Sequence, residues 1–75
     1  MPQETNEKTK QLFLIFKDAV ERERGAQTLY KQAAELCEDK ELRELLLGFS
    51  KDEARHEKML VQRYNRLAKK YGLAP

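Results

Sequence analysis

Glu23, Glu53 and His56 are the residues of this sequence whose types and positions could do chemistry. Each stands where the surrounding pattern calls for an apolar side chain. Glu23 follows Ala19 and Val20 by one turn and precedes Ala26, with Phe16 and Tyr30 seven residues away on either side. Glu53 follows Phe49 by four residues, His56 follows Glu53 by three, and Leu60 follows His56 by four. Such spacing puts all four on one helix face. Glu21, by contrast, falls about 200° round the helix from Glu23, among Lys17, Asp18, Arg24 and Gly25, and reads as surface. Burying a carboxylate without a partner is costly, and ionised groups persist inside proteins when they are paired or bind a metal. Two carboxylates and one imidazole satisfy one another poorly. As a donor set they suit iron, manganese or zinc. The competing reading is a buried polar network that sets helix register, as core polar residues do in coiled coils.

The elements that must position these residues are helical. Helix formers dominate, β-branched residues are scarce, and both prolines, Pro2 and Pro75, sit at the extreme ends. A first helix is expected from Thr5 to Cys37, with the stripe Leu12/Phe13, Phe16, Ala19/Val20, Glu23, Ala26, Tyr30, Ala33/Ala34, Cys37. A second is expected from Lys40 to Tyr71, with the stripe Leu42, Leu45/Leu46, Phe49, Glu53, His56, Leu60, Tyr64, Leu67, Tyr71. Each is on the order of 45–50 Å long. Asp39 suits the N-cap of the second helix, with Glu41 in its first turn, and Gly72 suits its stop, just past Lys69 and Lys70. The expectation is an all-α chain, an antiparallel helical hairpin making one domain over residues 1–75. With the turn near residue 39, Glu23 lies sixteen residues before it, and Glu53 and His56 lie fourteen and seventeen after it. The three side chains should therefore meet at one height.

Composition narrows the rest. The chain has 75 residues, and domains this short usually gain stability from disulfides, metal or association. Cys37 is the single cysteine, which excludes an internal disulfide and suits a reducing compartment. The polar start, MPQETNEKTK, does not resemble a signal peptide, and no apolar run approaches the roughly 20 residues of a bilayer span. A cytoplasmic protein with no membrane partner is expected. Fifteen Lys and Arg against thirteen Asp and Glu give a net charge of only +2, with the signs interleaved; the basic end NRLAKKYG is too short to imply nucleic acid. Further apolar residues flank the main stripes: Leu47, Ala54, Val61 and Ala68 on helix two, and Ile15, Leu29 and Leu36 on helix one. One hairpin seam cannot cover so wide a face, which points to a homodimer, or a higher homo-oligomer, closing a four-helix bundle.

Two hairpins would bring together four carboxylates and two histidines, the donor inventory of di-iron and di-manganese carboxylate bundles. At these residues the sequence resembles the ferritin-like superfamily, in particular its rubrerythrin and encapsulated-ferritin branches. The segment ERGAQTLY is similar to their first-helix pattern of a liganding Glu followed seven residues later by Tyr. The segment DKELRELLLGFSKDEARHEKML is similar to the second-helix pattern containing Glu-x-x-His. The likeness covers roughly residues 20–60. It implies Glu23 and His56 as terminal metal ligands, Glu53 as the carboxylate bridging two iron ions per dimer, and Tyr30 as a hydroxyl able to hydrogen-bond a ligand. It also implies a ferroxidase-type oxidoreductase, turning Fe(II) to Fe(III) with dioxygen or peroxide for iron handling or peroxide removal. Three differences stand out. Full-length ferritins carry four bundle helices in one chain, and here there are two. A rubredoxin-like site cannot be built from one cysteine, so an external electron donor would be needed. The sequence ends YGLAP, without the apolar targeting peptide of encapsulated ferritins, so packaging in a shell protein is not expected, although mineral storage would need a shell or a higher assembly.

Other residues have blander readings beside the chemical ones. Tyr30 suits core packing as well as it suits the ligand contact. Glu57 and Gln27 could guide incoming metal but read better as solvent-facing polarity. Met59 could be a haem ligand but borders the apolar face and reads as packing, and Cys37 reads as a small apolar filler. Gly25 either permits a close contact or bend or is simply tolerated. With one serine, Ser50, and no Gly-rich loop, catalytic-triad and phosphate-loop chemistry have no support. Two further functions stay open: a non-enzymatic hairpin dimerisation module, and a redox-inert metal-binding protein holding zinc or manganese.

Overall fold

The computed structural model describes residues 7–72 as two helices joined by a short turn. Helix α1 spans Glu7–Leu36 and helix α2 spans Lys40–Lys70, packed against each other as a hairpin. The ends fall within one residue of those expected at Cys37 and Tyr71, and the start at Lys40 coincides. The expected start at Thr5 and both prolines lie outside the described residues.

The turn is built from caps. The Asp39 carboxylate accepts from the backbone N–H groups of Glu41 and Leu42 at 2.9 and 3.2 Å, which satisfies two orphan donors of α2. At the other side of the turn, the Arg43 guanidinium donates twice to the Cys37 carbonyl, at 3.2 and 2.8 Å, covering an orphan acceptor at the end of α1. The half-buried Cys37 thiol lies 3.3 Å from the Asp39 carbonyl. At the far end of α2, Gly72 takes φ 71°, and its N–H donates to the Lys69 carbonyl at 3.2 Å. That left-handed conformation is one only glycine adopts freely, so the helix stops where expected.

The hairpin measures 55 × 17 × 15 Å, too thin to enclose a broad core. Among the described residues, the buried ones are Phe13, Val20, Ala34 and Ala68 with Thr9 and Ser50, and no large side chain is wholly buried. The buried residues lie along the whole seam, Ala34 and Ser50 nearer the turn, and Thr9, Phe13, Val20 and Ala68 further from it. There Phe13 presents its ring to Tyr64 and Tyr71 in edge-on contacts, with centroids 5.4 and 6.2 Å apart.

Several residues of the expected stripes are not covered by the chain itself. Leu12, Leu42, Leu45 and Phe49 are exposed, as is Met59, which was expected to pack. Of the row Leu47, Ala54, Val61, Ala68, only Ala68 is buried. The reason is geometric, because two helices touch along one seam and leave the flank of each stripe bare. Leu12, Ile15 and Leu29 on α1, and Leu42, Leu45, Phe49 and Met59 on α2, each fall in an arc of roughly 100° to one side of the seam. In antiparallel helices the same sense of rotation carries both arcs to the same broad side of the hairpin. A Cβ on Gly25 would meet nothing within 4 Å, so close helix contact does not explain that glycine.

Candidate metal centre

Glu23 from α1 and Glu53 and His56 from α2 come together half-way along the hairpin. Each offers one ligand atom, and the three atoms lie within 4.8 Å of one another. His56 Nδ1 faces both acids, 3.6 Å from Glu23 Oε2 and 3.8 Å from Glu53 Oε2. These distances exceed hydrogen-bonding range. Donors on one divalent ion stand at most about twice a metal–ligand bond apart, on the order of 4 Å, so a small closing of side chains would fit one.

Burial is uneven. The Glu23 and Glu53 side chains are each 23% exposed, whereas His56 is 49% exposed. A dry interior shared by all three is therefore not formed by one chain. His56 sits on the open side, in the same arc as Phe49 and Met59, so any enclosure must come from outside the hairpin. Glu23 Oε2 is itself buried and has no hydrogen-bond partner. A buried carboxylate oxygen without a donor is costly, and a cation at this point would relieve it. The donor chemistry and this orphaned atom both fit a metal ion.

Tyr30 packs its half-buried ring on Phe49, centroids 5.4 Å apart. Among the described residues no hydrogen bond joins its hydroxyl to the acids or to the imidazole. Packing is thus the role seen in the single chain.

Glu57 and Gln27 depart from the expectation of plain solvent-facing polarity. The Glu57 carboxylate accepts from Arg24 Nε at 2.8 Å and from Gln27 Nε2 at 2.7 Å, across the seam. Hydrogen bonds from Arg24 and then from Gln27 hold its carboxyl below the usual carboxylate range. Ser50 Oγ donates to the Gln27 backbone carbonyl at 3.2 Å. A signal for this network was present in the sequence: Arg24 adjoins Glu23, Glu57 adjoins His56, and the register that aligns the three donors also aligns this opposite-charge pair.

Among the described residues no helix is long and apolar enough to cross a membrane. Comparisons with protein-family models, with characterised proteins and with solved structures found no match to this chain.

Proposed function

We propose that two copies of the hairpin pair across the open apolar side and hold iron between them, as ferritin-like di-iron carboxylate proteins do. The observation that carries this reading is the convergence of three ligand atoms from Glu23, Glu53 and His56, with Glu23 Oε2 buried and accepting no hydrogen bond. Glu23 and His56 would hold the ions as terminal ligands, with Glu53 supplying the further carboxylate. The carboxylates can shift between binding modes as charge on the ions changes, while the packed helices keep their backbone fixed. Leu60, Phe49 and Tyr30 wall the layer against water once the second chain is in place. A bound pair of Fe(II) ions would supply two electrons, one from each, enough with two protons to take peroxide to two waters or dioxygen to peroxide. Repeated peroxide removal needs an external electron donor, and mineral storage needs a higher assembly or a shell protein.

Anaerobic addition of Fe(II) followed by air is expected to give ferric absorption well above the buffer control, and Glu53→Ala should abolish it. Metal that binds without oxygen consumption would indicate a redox-inert zinc or manganese site. A protein that binds no metal would be a dimerisation module. That second reading draws on His56 Nδ1, whose 3.6 and 3.8 Å contacts also suit an imidazolium paired with two acids.

A further inference from the structure

Beside the three donors, four side chains tie the helices together. Arg24 and Gln27 on α1 each take one oxygen of Glu57 on α2, at 2.8 and 2.7 Å, and Ser50 of α2 bonds the Gln27 carbonyl. On α1 the tie points directly follow Glu23, and on α2 they bracket Glu53 and His56. Sliding one helix by a single residue moves it about 1.5 Å, enough to break bonds of this length. Because the two Glu57 oxygens bond different residues of α1, rotation is resisted as well. The tie also settles where the Gln27 amide points. Its Nε2 bonds Glu57 Oε1 and, at 3.3 Å, the Glu23 backbone carbonyl. No amide N–H is then given to Glu23 Oε2, which stays without a hydrogen-bond partner.

We infer that Arg24, Gln27 and Glu57 form a positioning clamp that holds Glu23, Glu53 and His56 in binding register and keeps the Glu23 carboxylate free for a cation. The inference rests on the metal-binding reading above. Glu57 is not among the residues whose ligand atoms converge, which are Glu23, Glu53 and His56.

The test is anaerobic titration calorimetry of the full chain with Co(II) alone, with far-UV circular dichroism on every variant. Glu57→Ala and Arg24→Ala should each weaken Co(II) binding about tenfold or more at unchanged helical content. Glu57→Gln, closest in size to the native residue, should weaken it too and serves if a truncated variant loses helix. The exchanged pair Arg24→Glu with Glu57→Arg restores an opposite-charge tie across the seam and should recover part of the affinity lost in either single variant. A simple charge effect gives a different pattern, since removing the Arg24 cation would then strengthen Co(II) binding while removing the Glu57 anion weakened it. Wild type that binds no Co(II) overturns the metal-binding reading and the clamp with it. Wild-type binding that is matched or exceeded by the folded Arg24→Ala variant, or an exchanged pair no tighter than the single variants, overturns the clamp alone.

Discussion

Phe13, near the start of α1, meets the edges of Tyr64 and Tyr71 and is 8% exposed. About three turns further along the same seam, the Glu23 side chain is 23% exposed and has a buried oxygen that accepts no hydrogen bond. At the aromatic end the ring contacts are made within one chain, with Leu12 beside them exposed. The central layer is incomplete twice over, lacking a hydrogen-bond donor for Glu23 Oε2 and a cover for His56. One seam thus divides its work, with apolar contacts far from the turn fixing the hairpin and the middle layer keeping unmatched groups. Residual polar strain in an otherwise consistent helix pair is the kind of local conflict that marks a functional site.

Substitutions can break this contrast from either side. The largest effect is expected at the aromatic end, where Phe13→Ala should cost roughly 3 kcal/mol and lower the thermal midpoint sharply. Glu23→Leu should do the reverse in metal-free protein. Removing the orphaned oxygen should raise stability by about 1–3 kcal/mol, while Co(II) no longer raises the melting temperature. A Glu23→Leu protein less stable than wild type without metal would show that the layer is satisfied as it stands. Gly25→Ala should add about 1 kcal/mol, since the new Cβ meets open space, and should leave Co(II) affinity unchanged.

The smallest effect concerns acid. The Glu57 carboxyl is lowered chiefly by Arg24, so its contribution to stability is present above the unfolded carboxylate's range. It is lost as pH falls through the lower folded value. Acid unfolding followed by circular dichroism should show this loss in wild type and lack it in Glu57→Gln.

Much of the fold was legible in the sequence because its determinants are local. Asp39 and Gly72 mark their helix ends through short-range backbone bonds, and the three- and four-residue apolar spacing sets the facing sides. The meeting of Glu23, Glu53 and His56 followed from counting residues on either side of the turn. Exposure was less legible. Leu42, Leu45 and Phe49 belong to the expected stripe and are exposed, since periodicity does not say whether the same chain covers a stripe. Gln27 and Glu57 were misjudged for a related reason. Their partners lie on the opposite helix, thirty or more residues away, and polar residues on a helix read as solvent-facing until that neighbour is in place.

The most direct test of the central claim is anomalous diffraction from crystals grown anaerobically with Fe(II). The account predicts two iron peaks between paired hairpins, each within bonding distance of Glu23, Glu53 and His56 side chains. Paired hairpins with no iron in that layer, or chains that never meet across the side where His56 is exposed, would contradict it.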